Sequence, residues 1–558
     1  MTHKAKIILA LLLATFAVQS YGAIRSKSPT WDETNYFGLG YYLLKHPSWD
    51  IPSSTLHPPL SYYLNSFPLL WYGADERAWD LPPALKGLEK SNLSIPGAGL
   101  RLLTDRRYPT DRLLILARVP TLFLALLLGF CLFRWTKELY GELPALYALF
   151  LFSLCPNVIA HSGLITPDMA LTCLTFISCY CLWKVLRRGG GWIWIIACSL
   201  SLGCALISKY SAILQIPVFI VVAAAFLFSS EDVRLPGNFP FARWLSNQDA
   251  IMKALRLLSL MMVIFLLSVF VLSLGYRFQL HHYFRGVTHQ LLHAEGGHPS
   301  FLLGMHSKAG WWYYHFIAFL LKTPIPLLVL LLTALLFYCK GNLRASLDLI
   351  FMLAPVTVYF IFFSINHQSI GLRYILPAYP FLFMLAGSML ADFNIIRGRA
   401  LRSISIVLLS CWYLAGSLAM YPHYLAYFNE IAGGPDNGYR YLVDSNLDWG
   451  QDLKGLGLYM KEKGIDRVHL SYFGTADPNY YGVRYDWMPS YYLPEDYREG
   501  SAKMRSFTFP TTGMVAISAT NLQNVYFSDK QFYDWLKQYK PIDKIGYSIF
   551  IYDLDQIR

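Results

Sequence analysis

Two acids stand side by side in the stretch SPTWDETNYFGLGYYLL: Asp32 and Glu33. A carboxylate held against a hydroxyl can take its proton, and a second acid nearby can orient the partner. A third acid, Asp168 in GLITPDMALTCL, follows Pro167 at the start of an apolar run, where an ionisable group is costly unless water or partners reach it. His57 precedes two prolines in STLHPPLSYYL, and a backbone fixed in this way suits a ligand-binding imidazole. Arg118 in ILARVPTLF, Lys209 in LISKYSAIL and Arg373 in NHQSIGLRYILPAYP lie near the boundaries of apolar runs, and Arg285 lies in a histidine-rich loop. Cations at that depth can cradle a phosphate in a low-dielectric cleft. Singly, each has a plainer reading. The acid pair complements a helix dipole with Thr30 as cap, His-Pro-Pro is a turn, and the cations snorkel to headgroups.

Two further clusters compete for attention. His281, His282, His289, His293, His298 and His306 share one loop, and HQLLH puts two of them a helical turn apart. No Glu follows the first His, however, so this is not the metalloprotease pattern. Contacts at an interface are the expectation there, no residue is assigned as a metal ligand, and a divalent metal stays open as a cofactor. Asp444, Asp448 and Asp452 in YLVDSNLDWGQDL recur every four residues, which fits a calcium or acceptor loop, or a cap on the helix after Gly450. No phosphate-binding Gly-Lys-Ser loop, Rossmann fingerprint or Gly-x-Ser-x-Gly elbow is present, which disfavours an ATP-driven pump or a soluble-type hydrolase.

The elements that must position these residues are membrane helices. The chain is 55% hydrophobic and 15% charged, well short of the charge of a soluble domain. Eleven runs are long enough to span a bilayer: 6–22, 112–133, 143–161, 167–186, 192–208, 211–229, 254–275, 312–338, 346–364, 374–391 and 403–421. The first is expected to be a retained anchor rather than a signal peptide. The net charge of +12 comes from Lys and Arg clustered between the runs, which reads as topology and argues against a nucleic-acid partner. Loop charges set the amino terminus inside, on the cytoplasmic face, with 23–111, 276–311 and 422–558 outside. The nine cysteines lie in or beside apolar runs, so no disulfide framework is expected. The sequon NLS at 92–94 says little alone.

Residues 1–421 thus form one expected membrane domain and 422–558 a small soluble α/β domain outside it, with Gly433, Gly434 and Pro435 at the boundary. In the latter, 452–464 and 529–539 read as helices, and 467–474, 514–520 and 544–554 as strands. Asp32 and Glu33 are expected in the first turn of a helix lying along the membrane surface.

The outer DE at 32–33, HPPL at 57–60, AR at Arg118 and the acid at Asp168 resemble the protein O-mannosyltransferases and the bacterial aminoarabinose transferases, within the C-type membrane glycosyltransferases. The resemblance covers roughly residues 1–400. It implies a polytopic α-helical C-type fold and transfer of a sugar from a polyprenyl-phosphate donor to an acceptor hydroxyl, with inversion, at the periplasmic or luminal face. It also implies Asp32 as base or acceptor orienter, Glu33 and Asp168 as positioners of sugar or acceptor, and His57 and Arg118 near the donor phosphate. The aminoarabinose enzymes carry Lys where His57 stands. Lys209, Arg285 and Arg373 are added here from charge and depth. The β-trefoil of the protein mannosyltransferases is absent from the short loop 276–311, so their acceptor is not carried across: protein, lipid and glycan all stay open. Two other classes compete: a transporter or flippase for a lipid-linked sugar, expected to show broken helices near the midplane, and a structural membrane protein with a partner-binding domain.

Overall fold

The computed structural model describes all residues except 46–48, 50–54, 73–98, 100–102, 104–109, 237–238, 240–248, 340–346, 367, 392–398, 491–506 and 557–558. The sequon at 92–94 lies outside the described residues.

The helices, in chain order, are α1 (His3–Ser26), α2 (Glu33–Lys45), α3 (Leu60–Ser66), α4 (Thr110–Tyr140), α5 (Glu142–Ser153), α6 (Pro156–Ser162), α7 (Pro167–Arg188), α8 (Trp192–Leu206), α9 (Gln215–Leu227), α10 (Ala250–Gly275), α11 (His281–Glu295), α12 (Tyr314–Lys322), α13 (Ile325–Cys339), α14 (Leu347–Ile365), α15 (Tyr379–Ser388), α16 (Arg399–Ala419) and α17 (Leu453–Lys463). Tight 3-10 turns at Tyr210–Leu214 and Leu372–Ala378 lead into α9 and α15. The chain is a polytopic α-helical membrane protein with a small carboxy-terminal sheet.

All eleven apolar runs are helical, but they are not eleven straight spans. Among the described residues six helices are long and apolar enough to cross a membrane, or eight if each bent pair is one span. The run at 143–161 bends by 64° between α5 and α6, and 312–338 turns by 114° between α12 and α13. Proline is the cause in both. Pro156 opens α6, and Pro324 follows Thr323, whose extended backbone ends α12. The runs giving α8 and α15 yield helices of 15 and 10 residues.

The expected surface helix is a second correction. Most of α2 is buried, including Glu33, Tyr36, Phe37, Leu39 and Tyr41. Aromatic and aliphatic side chains fall on both sides of it, so it packs inside the protein.

Five strands form the carboxy-terminal sheet in the order β4 (Tyr485–Trp487), β3 (Val468–Ser471), β5 (Met514–Ser518), β7 (Ile549–Asp553), β6 (Asp543–Ile545), after a separate hairpin of β1 (Ser300–Leu302) and β2 (Met305–Ser307). β3 runs parallel to β4 and β5, while β7 runs antiparallel to β5 and β6. The single strand expected at 544–554 is a hairpin turning at Gly546 and Tyr547, both with positive φ. The helix expected at 529–539 is one turn, Asp534–Lys537. The helix expected at 452–464 is α17, closed by left-handed Gly464.

Period-two alternation ties this sheet to the membrane part. Ala516, Ile549 and Ile551 pack on Leu453, Leu456 and Met460 of α17. Their neighbours Val515, Ile517, Phe550 and Tyr552 face the other way and belong to the core that runs through the membrane helices. Residues 422–558 are therefore fused to the bundle by a continuous apolar contact.

Candidate active site

The loop 28–33 carries the acid pair and is held by the segment 449–453. Trp31 N–H donates to Trp449 O at 2.8 Å and Ser28 N–H to Gln451 O at 3.0 Å. Ser28 Oγ donates to Gly450 O at 3.1 Å. Gly450 has φ of 85°, and a Cβ there would stand 2.8 Å from Phe473 O, so glycine is required at this crossing. The side chains of 31 and 473 stack with centroids 5.1 Å apart.

The two acids point to different partners. Glu33 is fully buried and takes Arg118 in a fork, Nε to Oε1 at 2.8 Å and Nη2 to Oε2 at 2.6 Å. It also accepts from Thr30 N–H at 2.8 Å and Ile165 N–H at 2.9 Å. The first of these is half a capping box; the Thr30 hydroxyl makes no bond, so the expected cap runs the other way. Arg118 gives its remaining donors to the carbonyls of Ile24, Lys27 and Ser28 at 3.0, 3.0 and 2.9 Å. All five of its N–H groups are thereby spent. Both residues thus spend their bonding capacity on each other and on the backbone around the loop, whereas the expectation gave sugar positioning to Glu33 and phosphate binding to Arg118.

Asp32 faces a second network. Arg373 Nη1 lies 3.0 Å from Asp32 Oδ2 and 3.8 Å from Asp168 Oδ2, and Lys209 Nζ lies 2.6 Å from Asp168 Oδ1. Asp168 comes from the first turn of α7, Lys209 from the residue before the Tyr210–Leu214 turn, and Arg373 from the Leu372–Ala378 turn. Tyr374 sits among them, 4.6 Å from Lys209 Nζ at its ring centroid, and the Arg373 guanidinium lies 4.4 Å over Trp449. Asp32 keeps 25% of its side chain exposed while Asp168 keeps 1%.

A cleft of about 770 Å³ opens beside these groups. His57, Lys209, Ser211 and Arg373 line it together with Gln290, Asn366 and Gln368. Three of these carry a buried polar atom without a partner: His57 Nδ1, Ser211 Oγ and Arg373 Nε. His57 packs on Tyr36 at 5.4 Å between centroids. Burial, and then the Lys209 charge, push its imidazole down to about 3, so it is neutral here and not a cation for phosphate.

Arg285 is not brought to the cleft. Val287, Gln290, Leu291 and Ala294 give α11 its lining face, and Arg285 lies roughly 160° round the helix from Val287 and is exposed. Among the described residues no group of three or more His, Cys, Asp or Glu is arranged to hold a metal. His289 and His293 are neighbours at 6.5 Å, and His306 Nε2 is bonded to Gln523 O at 2.6 Å.

The triplet at 444, 448 and 452 also disperses. Asp444 accepts from the Tyr526 hydroxyl, Asp448 from Thr520 N–H at 2.8 Å, and Asp452 from Lys27 at 2.5 Å and Ser548 at 2.7 Å. Asp452 stands at the N-cap position of α17 without a capping bond, so neither the calcium nor the capping reading holds. Burial raises Asp448 to about 8, while Lys27 and His423 bring Asp452 down to about 2 against its burial.

Residues 114–245 match the family model described as dolichyl-phosphate-mannose-protein mannosyltransferase. No curated protein sequence matches the chain. Among solved structures, ArnT from Cupriavidus metallidurans bound to undecaprenyl phosphate aligns over 97% of this chain and 97% of its own, at 13% identity and a TM-score of 0.47. The S. cerevisiae protein O-mannosyltransferase Pmt1-Pmt2 complex bound to the sugar donor aligns over 51% and 34%, at 15% identity and 0.31. An Archaeoglobus fulgidus oligosaccharyltransferase aligns over 82% and 56%, at 14% and 0.43. The family match over 114–245 takes in the segment that holds Arg118, Asp168 and Lys209.

Proposed function

We propose that the chain transfers a sugar from a polyprenyl-phosphate donor to an acceptor hydroxyl, with inversion, at the outer face of the membrane. The observation that carries this reading is the set of partnerless buried groups, His57 Nδ1, Ser211 Oγ and Arg373 Nε, converging with Lys209 on one cleft. Buried polar atoms without partners in a native fold call for a ligand that satisfies them. Two cations and a neutral imidazole suit a phosphodiester.

The donor phosphate would take Arg373 from Asp32, and Lys209 from its bond to Asp168. Asp32, released, takes the acceptor proton as the acceptor oxygen attacks the anomeric carbon. The bond from that carbon to the phosphate oxygen breaks on the opposite face, and the phosphate leaves with its charge held by Arg373 and Lys209. The lipid tail has a route: Ile213 lines the cleft, and Ile216 three residues on lines an apolar groove of about 970 Å³ between α9 and α10. Acceptors of the protein, lipid and glycan classes all present the required hydroxyl.

Purified full-length protein given polyprenyl phosphate carrying radiolabelled sugar should transfer label, and Asp32→Asn should cut transfer by about 10² to 10⁴ fold with the fold intact. A second reading, a flippase for a lipid-linked sugar, is favoured by the bent pairs at 64° and 114°. Translocation of labelled lipid without bond cleavage would select it.

A further inference from the structure

We propose that a basic groove beside the carboxy-terminal sheet binds the headgroup of an anionic phospholipid in the leaflet next to the end of α16. The groove, of about 1470 Å³, lies between residues 436–440 and residues 537–547, and His423 lines it as well. His423 stands four residues after α16 ends at Ala419, and that helix turns Val407, Leu408, Leu414 and Leu418 outward as an apolar face for lipid. The chain then folds back along the helix. Glu430 Oε1 accepts from Trp412 Nε1 at 2.7 Å, seven residues and so about 10 Å short of the helix end. Asn429 Nδ2 donates to Thr323 O at 2.8 Å, at the bend between α12 and α13, and Asn437 Nδ2 in the groove wall donates to Gly433 O at 3.1 Å. One wall of the groove is thereby tied to the level where the membrane helices end.

Its charge fits an anion. Arg440, Lys537, Lys540 and Lys544 line it against Asp436 and Asp543. Lys544 is held by Asp436 at 3.1 Å and Lys537 by Asp534 at 2.8 Å. Arg440 and Lys540 are exposed and form no ion pair among the described residues, and Arg440 makes one long contact, from Nε to the Tyr439 hydroxyl at 3.4 Å. Two cations are left for a phosphate. The rim favours a lipid over a free anion: Tyr539 and Ile542 in one wall, and Ile431 just before the other, are all exposed. Apolar and aromatic side chains beside unpaired cations suit the bilayer interface, where the cations meet phosphates and the rest meets the glycerol level.

The test is native mass spectrometry of the full-length protein in detergent at pH 7, titrated with phosphatidylglycerol, with phosphatidylcholine of the same chains, or with glycerol 3-phosphate. Phosphatidylglycerol should occupy one site about tenfold more tightly than phosphatidylcholine. Arg440→Gln with Lys540→Gln should weaken that site about thirtyfold, the loss expected for two cations at an anionic surface, with the unfolding temperature unchanged. Equal affinity for the two lipids, binding of glycerol 3-phosphate as tight as that of phosphatidylglycerol, or a double variant that binds like the wild type would each overturn the inference. Both substituted residues lie outside the catalytic cleft, so any of these results leaves the proposed transfer reaction standing.

Discussion

Glu33 with Arg118, and Asp32 with Arg373, are both carboxylate–guanidinium pairs whose acids are neighbours in the chain, yet they form opposite kinds of site. Every polar atom of the first pair is used: the guanidinium gives five bonds and the carboxylate takes four, two of them from backbone N–H groups, with both side chains fully buried. The second is open: Arg373 Nε and Asp168 Oδ2 make no hydrogen bond, and Asp32 reaches the surface. A closed network fixes a loop, and an open one is available to a ligand. The residues adjacent in sequence are separated in role because consecutive positions at a helix start point in different directions.

Several substitutions would break or sharpen this contrast. The largest effect is expected from Asp32→Asn, a fall in transfer of about 10² to 10⁴ fold, the range for a lost general base, with thermal unfolding unchanged. Arg373→Gln should lower kcat by about 10² to 10³ fold, as when a donor to developing negative charge is removed, again with little change in unfolding temperature. Glu33→Gln should do the reverse. Leaving Arg118 buried without its charge partner should cost about 3 to 5 kcal/mol in stability, seen as lost thermal resistance, while activity per folded molecule persists; Glu33→Leu with Arg118→Met should recover much of it. If Glu33→Gln folded normally and lost turnover instead, the division between closed and open pairs would be wrong.

Smaller effects come from titration. His57 has its folded value below its unfolded one, so its contribution to stability is complete above about pH 6.5 and is lost as pH falls from there towards 3. His57→Gln should flatten the acid limb of a stability profile by at most about 1.4 kcal/mol per pH unit. Asp448, raised from 3.8 to about 8 by burial, has its folded value above its unfolded one, so its stabilising contribution is complete below about pH 4 and is lost as pH rises from there through 8. Asp448→Asn should flatten the stability profile between about pH 4 and 8 and otherwise be nearly silent in thermal melts.

Much of this was legible in the sequence. Asp32, Asp168, His57, Lys209 and Arg373 were each visible as polar groups at the edge of apolar runs, and the structure brings them together. Arg118 and Arg285 looked equivalent to Lys209 by charge and depth. They differ in which face of the helix they occupy and in how many backbone carbonyls wait for them, neither of which spacing encodes. The bends at Pro156 and Pro324 were signalled by proline, but hydropathy alone joins the two halves. Trp449, Tyr374 and Gln290 carried no signal as site residues, although the stretch YLVDSNLDWGQDL stood out; its contribution is made through backbone contacts to residues more than 400 positions away.

Those contacts set an order of assembly. The loop bearing Asp32 is clasped by Trp449 and Gln451, which the ribosome delivers after the last membrane helix. A nascent chain in the bilayer carries Asp32 on an unclasped loop until its final quarter has folded back onto the part made first.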